Sequence, residues 1–294
     1  MKLPRPEERL PLLLVAPVVT ILTAVLLIPS IWSFYLSFQN YQLGYSPKFV
    51  GLNNYFVILS DPDFLAAILR NLVFVALEIV MELFLGLGTA LLLSRRFRFQ
   101  RVWVALIIAP FAVSPVVSVI AWKTLLSPDF GFISWMLSWV GISTAYWLMQ
   151  PITSLLVIII ISAWKESPFI TLILYAAITI IPVERTEAAL VDGASKFQRF
   201  RYITLPSIRS SIIIALTFRT IFAFRTFDVI WILTQGGPLG ATTILSIFLY
   251  NQTFRYLMIG AGATVGVIML FFTFIISAYY LRALYKQTMA RGRK

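Results

Sequence analysis

The chain has 294 residues, 60% of them hydrophobic, with a net charge of +12 and a mean hydropathy of +0.89. A composition this apolar exceeds what a soluble domain can bury, so it indicates a protein of the lipid bilayer. The sequence contains no Cys and no His, which excludes disulfides, thiolate catalysis, histidine acid–base chemistry and most transition-metal sites. It also lacks the G-x-x-x-x-G-K-S/T phosphate loop, so any ATP that drives the protein must be bound by a partner.

Apolar runs predict six membrane-spanning helices. A helix needs about 20 residues to cross about 30 Å of hydrocarbon. Six runs are long enough: 10–34, 72–93, 102–125, 152–181, 211–233 and 258–284. The first run follows basic residues, but it is longer than the apolar part of a signal peptide and has no small-x-small cleavage site, which favours a retained span. The fourth run is interrupted near Pro168, and because neither half could span alone, we interpret it as one kinked helix.

Basic residues predict the orientation of these spans. Clusters of Lys and Arg lie before the first span, between the second and third, between the fourth and fifth, and after the sixth. Only Lys48, Arg70, Lys123 and Arg255 lie in or beside the other connections. The positive-inside rule therefore places both termini in the cytoplasm. Topology and contact with anionic inner-leaflet lipid account for the net charge, so no nucleic-acid partner is expected.

The connection between the fourth and fifth spans, residues 182–210, is long and rich in charge. Residues 184–191 favour a short helix with acidic residues at its start, and Gly193 is placed to break it. Residues 194–202 favour a second short helix, which Pro206 is expected to stop. Two short helices that meet at a glycine would form a compact protrusion.

Small and aromatic residues give this protrusion two kinds of surface. Ala188, Ala189 and Ala194 would permit the close approach of another protein. Phe197 and Phe200 would anchor the protrusion to the chain's own core. We therefore interpret the loop as a segment that receives force from a cytoplasmic partner and passes it to helices along a solute path.

The same loop carries a dense residue pattern. Glu187-Ala188-Ala189 is followed by Asp192-Gly193-Ala194 and then by Phe200, Ile203, Leu205 and Pro206. This pattern resembles the EAA loop of permease subunits of binding-protein-dependent ATP-binding-cassette (ABC) importers. Further segments resemble the carbohydrate branch of that family: FVGLNNY at 49–55, Trp164 with Pro168-Phe169, and FRTFDVIWILTQGGP at 224–238.

The resemblance implies an all-α polytopic fold of the type I ABC importer permease, with residues 1–294 as a single transmembrane domain in the cytoplasmic (inner) membrane. It implies that the 182–210 loop is a cytoplasmic coupling helix that docks on an ATPase subunit. The implied contact and hinge residues are Glu187, Ala188, Ala189, Asp192, Gly193 and Ala194.

The resemblance also implies the partners. They are a second, homologous permease that completes a heterodimer, two ATPase subunits and an extracytoplasmic sugar-binding protein. ATP and Mg are expected on the ATPase subunits, because this chain is expected to have no catalytic residues and to bind neither cofactor nor metal itself.

Charged residues at membrane depth are the next candidates, because a charge there costs at least ~2.5–3.5 kcal/mol and is usually paired or functional. Glu78 and Glu82 lie one helical turn apart on one face of the second span. Arg219 or Arg225 facing Glu78, Glu82 or Asp228 would form buried pairs that fix helix packing. Direct contact with the solute is the alternative.

The resemblance places the solute cavity among the late spans. A hydroxyl-rich sugar requires charged or amide groups for hydrogen bonds and aromatic faces for stacking. The substrate-path candidates are Lys165, Glu166, Phe224, Arg225, Phe227, Asp228 and Trp231. In the sixth span, Gly262 and Gly266 form a G-x-x-x-G pattern that predicts close helix packing.

These observations predict a permease subunit of an ATP-driven importer that moves a sugar inward, such as a disaccharide of the trehalose or maltose kind. Permeases for glycerol 3-phosphate share much of the 224–234 segment. An ion-driven secondary transporter would have no need of the coupling-loop pattern. An intramembrane enzyme would have only carboxylates, Lys165 and hydroxyls available, and a structural scaffold would tolerate neutralisation of Arg225 and Asp228 without loss of uptake.

Overall fold

The computed structural model describes residues 6–95 and 97–291, and the fold is about 75% helical. The prediction of an all-α membrane protein is confirmed. Some of the basic residues used to predict orientation lie outside the described residues: Lys2, Arg5, Arg96, Arg293 and Lys294. The cytoplasmic placement of both termini stays a prediction.

The elements follow one another along the chain, with three π-helical turns between neighbouring helices. The helices are α1 (Pro6–Leu22), α2 (Ile28–Leu36), α3 (Asn53–Leu59), α4 (Pro62–Leu93), α5 (Gln100–Ala112), α6 (Pro115–Leu125), α7 (Phe132–Ser138), α8 (Pro151–Thr179), α9 (Val183–Val191), α10 (Lys196–Arg199), α11 (Leu205–Ala223), α12 (Asp228–Leu233), α13 (Leu245–Tyr250) and α14 (Ile259–Arg291). The strands are β1 (Gln39–Asn40) and β2 (Lys48–Phe49), and the π-helical turns are Thr23–Leu27, Phe200–Thr204 and Asn251–Arg255.

Within the described residues, five helical stretches are long and apolar enough to cross a membrane. They are Leu14–Leu36, Pro62–Leu93, Pro151–Thr179, Lys196–Ala223 and Ile259–Tyr285. α5 and α6 make a sixth if the bent pair is counted as one span. α8 is a single helix with Pro168 inside it, in the position of the fourth predicted span.

The third predicted span, 102–125, is broken near Pro115, one of two prolines that predict a kink in this run. α5 and α6 meet at an angle of 99°. Pro115 begins α6, and a proline disfavours helical backbone in the residue before it. Ser114 accordingly has a ψ of 136°, which turns the chain between the two helices.

The fifth predicted span, 211–233, also differs from the structure. The long helix here is Lys196–Ala223, and residues 224–227 separate it from α12. The apolar run continues across this break, so hydropathy alone could not locate it. Pro206 does not stop this helix: it follows the π-helical turn Phe200–Thr204, where the regular α-helical hydrogen-bond pattern is already interrupted.

The chain divides into two compact units, of which the first comprises residues 1–65 and 248–271. Its antiparallel strands pair Gln39 with Phe49 and Asn40 with Lys48. The Asn54 side chain donates hydrogen bonds to the carbonyls of Ser37 and Gln39, at 2.9 and 2.8 Å. These bonds fix the entry of the chain into α3.

The predicted packing glycines lie on α14 in this first unit, and the structure distinguishes them. A Cβ at Gly262 would overlap Oγ1 of Thr253, so this position requires glycine. A Cβ at Gly266 would lie 3.6 Å from Leu249 Cδ1, an ordinary van der Waals distance. A Cβ at Gly260, a further glycine of the same predicted span, would overlap the carbonyl oxygen of Gln39.

The second unit comprises residues 66–247 and 272–294, and α8 packs in it against α5 and α11. A buried cluster of Ala90, Ile170, Leu174 and Ala215 joins α4, α8 and α11. A Cβ at Gly86 would lie 2.7 Å from Ile170, so glycine allows α4 to approach α8 closely. These three helices carry most of the charged residues described below.

Candidate functional site: a solute cavity and a coupling segment

A cavity of about 490 Å³ lies in the second unit, beside the breaks in the third and fifth predicted spans. The lining residues are Phe111, Pro115, Val119, Ile161, Ser162, Lys165, Glu166, Phe169, Arg219, Phe222, Arg225, Thr226, Phe227, Asp228 and Val229. Irregular backbone at membrane depth is tolerated where it lines a cavity, and transporters build solute sites from such broken helices. The cavity thus combines charged and aromatic side chains with two breaks in the helical backbone.

The structure brings five of the seven predicted substrate-path residues to this cavity: Lys165, Glu166, Arg225, Phe227 and Asp228. Phe224 is only 1% exposed and packs on Phe272, with ring centres 5.9 Å apart, so it belongs to the core. Trp231 stacks on Phe227, with ring centres 5.6 Å apart and an interplanar angle of 15°, and supports that ring from outside the lining.

Arg219 of α11 is the centre of a buried ion network. Its Nε and Nη2 donate to Glu82 Oε2 and Oε1 at 2.7 and 2.6 Å. Its Nη1 donates to Glu166 Oε2 at 3.0 Å. All three guanidinium nitrogens therefore have carboxylate acceptors, which is the strong, planar geometry that arginine favours. The predicted pairing of Arg219 with Glu82 is confirmed.

The network continues on both sides of Arg219. Lys165 Nζ donates to Glu166 Oε1 at 3.1 Å. Each oxygen of the Glu166 carboxylate therefore accepts a hydrogen bond from a basic side chain, Oε1 from Lys165 and Oε2 from Arg219. Ser162 Oγ donates to Glu78 Oε1, which lies 3.7 Å from Arg219 Nη2. Glu78 thus lies at the edge of the ion network, one turn of α4 away from Glu82, which forms the bidentate pair with Arg219.

Two further charges face the cavity without such partners. Among the described residues, neither Arg225 nor Asp228 lies within ion-pair distance of an opposite charge. Both side chains are exposed, and the Arg225 guanidinium lies 5.6 Å from the centre of the Phe222 ring. Of the predicted alternatives, the structure therefore selects Arg219 with Glu78 and Glu82 rather than Arg225 or Asp228. Both groups therefore bring charge to the cavity that no ion pair of the described residues neutralises.

Sequence reasoning missed the contribution of the third predicted span. Phe111, Pro115 and Val119 line the cavity because the 99° bend turns this part of the chain toward it. Proline at 110 and at 115 was the available signal, since both predict a kink inside an apolar run. From α8, Ser162 and Phe169 complete the wall on either side of the predicted pair Lys165 and Glu166.

The predicted coupling segment is an exposed helix, turn and helix. α9 ends at Val191, and Gly193 has a φ of +76°, the left-handed conformation that glycine adopts without strain. The Ala194 amide donates to the Ala189 carbonyl at 2.8 Å, which closes the turn. Asp192 and Gly193 donate to the carbonyls of Ala188 and Leu190 at 3.0 Å each.

A capping box begins the next helix. Ser195 Oγ accepts from the Gln198 amide at 3.2 Å, and the Gln198 side chain accepts from the Ser195 amide at 2.7 Å. The predicted anchor Phe197 is 73% exposed, so it does not contact the chain's own core. The reason is local: the capping box starts the helix at Lys196 and leaves the Phe197 side chain on the free face.

The surface of this segment combines charge with exposed apolar side chains. Glu187, Ala188, Asp192 and Gly193 are exposed, and Ala189 and Ala194 are half-buried. Large apolar side chains beside them are exposed as well: Val183, Leu190, Val191 and Phe197. Such a mixed patch is typical of a surface that binds another protein.

A set of spanning helices around a charged cavity defines a polytopic membrane transport protein. The chain belongs to the family of binding-protein-dependent transport system inner membrane components, whose model matches residues 82–291. It is the multi-pass permease subunit of an ABC importer in the inner membrane, and ATPase activity lies in separate subunits. An ion-driven secondary transporter is not favoured.

Relatives agree with this assignment. The trehalose/maltose transport system permease protein MalF of Thermococcus litoralis is 35% identical over 283 residues, which cover 96% of this chain and 95% of the relative. A bacterial ABC transporter involved in the import of the acidic polysaccharide alginate has the same fold. Its chain has a TM-score of 0.83 and 22% identity, with 95% of this chain and 96% of that chain covered.

A second structure of a bacterial alginate transporter is a complex with an alginate pentasaccharide-bound periplasmic protein. Its matching chain has a TM-score of 0.82 and 23% identity, with 93% of each chain covered. At these identities the structural likeness shows the shared fold.

Proposed function

We propose that this chain translocates a sugar inward across the membrane, and that the sugar is a disaccharide of the trehalose or maltose kind. The observation that carries the proposal is the cavity, which combines the free charges of Arg225 and Asp228 with the ring of Phe227. Charged groups can form hydrogen bonds with sugar hydroxyls, and an aromatic face can stack on the apolar face of a pyranose. A volume of about 490 Å³ lies within the usual range of small-molecule sites.

The 182–210 segment is proposed to couple this cavity to ATP hydrolysis. Its exposed apolar residues, among them Leu190, Val191 and Phe197, would dock in a groove of an ATPase subunit. The helical stretch Lys196–Ala223 begins in the coupling segment and ends at the cavity. A helix of this length spans about 40 Å, so movement of the docked segment would reach Arg219 and Phe222 through one continuous helix.

The complete importer is proposed to contain this chain, a second homologous permease, two ATPase subunits that bind ATP and Mg, and an extracytoplasmic sugar-binding protein. Closure of the two ATPase subunits would move both coupling segments together and convert an inward-open cavity into an outward-open one. In this arrangement the binding protein delivers the sugar and the cavity passes it inward.

Co-purification tests the assembly. The chain is purified with and without the paired changes Glu187→Lys and Gly193→Val, and mass spectrometry identifies its partners. We expect an ATPase and a second polytopic permease with the wild type, and loss of the ATPase with the changed chain. Partners that are indifferent to the coupling segment would overturn the docking proposal.

Uptake into proteoliposomes tests the solute. The assembled importer, with its binding protein and internal ATP, is supplied with labelled trehalose, maltose or glycerol 3-phosphate. We expect ATP-dependent uptake of a disaccharide that an excess of glycerol 3-phosphate does not reduce. Uptake of glycerol 3-phosphate alone would overturn the sugar assignment while leaving the importer assignment intact.

A further inference from the structure

We propose that Glu82 is a positioning residue for the solute cavity, because it fixes the guanidinium of Arg219 and thereby the cavity carboxylate of Glu166. The inference rests on the proposed function of the cavity and adds a residue that does not touch the solute. Glu82 is fully buried and is absent from the cavity lining, whereas Arg219 and Glu166 both line it. Glu82 therefore does not touch a solute in the cavity, and its hydrogen bonds to Arg219 connect it to the wall.

The bidentate pair between Glu82 and Arg219 sets the direction of the remaining donor. Two parallel bonds of 2.7 and 2.6 Å hold the plane of the guanidinium against the plane of the Glu82 carboxylate. Nη1 then points in one direction only, and Glu166 Oε2 lies there at 3.0 Å. With a single bond to position 82, the guanidinium could rotate and Nη1 would leave Glu166.

A fixed Glu166 matters because it shapes the wall that the solute meets. Its side chain is 22% exposed, and Arg219 and Lys165 each bind one of its two oxygens. A group already held in one orientation loses less conformational freedom when the solute binds, so affinity is higher. Releasing Arg219 would free both Glu166 and Lys165 to reorient.

Glu78 provides a matched control on the same helix. Like Glu82 it is fully buried, but its Oε1 accepts a hydrogen bond from Ser162 and its Oε2 has no hydrogen-bond partner among the described residues. It makes no contact with Glu166. Glu78 Oε1 also lies 3.7 Å from Arg219 Nη2, which is one long contact rather than a bidentate pair. A Glu78→Gln change keeps this oxygen for Ser162 and Arg219 and leaves both bonds between Glu82 and Arg219 intact, so the orientation of the guanidinium should be kept.

The test is equilibrium binding of labelled trehalose and maltose to the assembled importer in nanodiscs, for five forms of the chain. These are the wild type, Glu82→Gln, Glu78→Gln and Glu166→Gln, with the double change Glu82→Gln/Glu166→Gln to close a double-mutant cycle. We expect Glu82→Gln to raise Kd roughly tenfold or more, as the loss of a charge-assisted bond implies. Glu78→Gln should change Kd by less than about twofold.

The double-mutant cycle distinguishes a positioning role of Glu82 from a role in the general stability of the protein. If Glu82 acts through Glu166, Glu82→Gln adds little to Kd once Glu166 is already Gln. A purely structural role would lower yield and thermal stability while leaving Kd unchanged, or would affect Kd equally from positions 78 and 82. Either result overturns the proposal. Should Glu82→Gln fail to assemble, Glu82→Asp keeps the charge but shortens the side chain, and we expect an intermediate rise in Kd.

A solute-free measurement distinguishes failure of this proposal from failure of the proposed function. If the wild-type importer binds neither sugar, the assignment of the solute is wrong, and structures of the wild-type and Glu82→Gln importers decide the positioning. We expect the bond between Arg219 Nη1 and Glu166 Oε2 to be lost in the variant. An unchanged bond would show that Glu82 does not position Glu166.

Discussion

The coupling segment and the cavity wall differ in how their geometry is held. In the coupling segment, bonds between neighbours in sequence fix the turn at Gly193, and most side chains are exposed. At the cavity wall, Arg219 joins carboxylates from two other helices, one of them 137 positions away. The turn of the first region is therefore set by local hydrogen bonds. The second depends on the packing of the whole second unit.

The largest expected effect follows from removing Arg219. An Arg219→Met change leaves Glu78 and Glu82 buried without a cation, and breaking such a buried pair costs about 3–5 kcal/mol. We expect the purified importer to show a marked loss of thermal stability or of assembly. Arg225→Met is the matched control, since Arg225 has no ion-pair partner among the described residues and should leave assembly unchanged.

The next largest loss of stability is expected from a change in the packing of uncharged residues. This change shows whether the stability of the protein depends on the ion network alone. In the first unit, Gly262→Ala would force a methyl group against Thr253 Oγ1, and overpacking of this kind costs about 1–3 kcal/mol. Gly266→Ala meets Leu249 at an ordinary distance and should be close to neutral. Thermal unfolding of both variants checks the difference, and equal losses would contradict the packing described for Gly262.

Backbone strain tests the coupling segment directly. Gly193→Val places a β-branched residue at a φ of +76°, which costs about 1–2 kcal/mol because Cβ then crowds the backbone. We expect insertion and expression to be normal, but fewer sugar molecules transported per ATP hydrolysed. Gly193→Asn is the control, because asparagine tolerates this conformation. Normal coupling in the Val variant would show that the turn is not a hinge.

Loss of the capping box is expected to have the smallest effect. Ser195→Ala removes the acceptor for the Gln198 amide and costs about 1 kcal/mol at an exposed helix start. The number of sugar molecules transported per ATP hydrolysed should fall slightly, while solute binding in the cavity stays unchanged. Ser195→Thr keeps a hydroxyl at this position and should restore the transport ratio. A change in sugar Kd would mean that the two regions are not held independently.

Short-range features could be predicted from the sequence. The coupling turn needs only about 20 contiguous residues, and its glycine, alanines and charges identify it without knowledge of the rest of the fold. Apolar runs similarly indicate the spanning helices, because hydrophobicity over about 20 residues is a local property. Pro115 indicates the break beside Ser114, whereas the break at residues 224–227 escaped this reasoning, since it lies inside a run that remains apolar.

Long-range features could not be assigned from the sequence alone. The possible partners of Arg219 included Glu78, Glu82 and Asp228, and only the packing of α4 against α11 selects Glu82. Phe224 was expected to face the solute, but Phe272 of α14 covers it. In both cases the deciding residue lies far along the chain, where local pattern gives no information.

The most direct test of the proposed solute site is a structure of the assembled importer trapped with its disaccharide. We predict density for the sugar in the cavity, with hydrogen bonds to Arg225 and Asp228 and a pyranose ring against Phe227. Glu166 should be held by Arg219 and Lys165 as described. Sugar bound elsewhere in the importer, with Arg225 and Asp228 out of contact, would contradict the account.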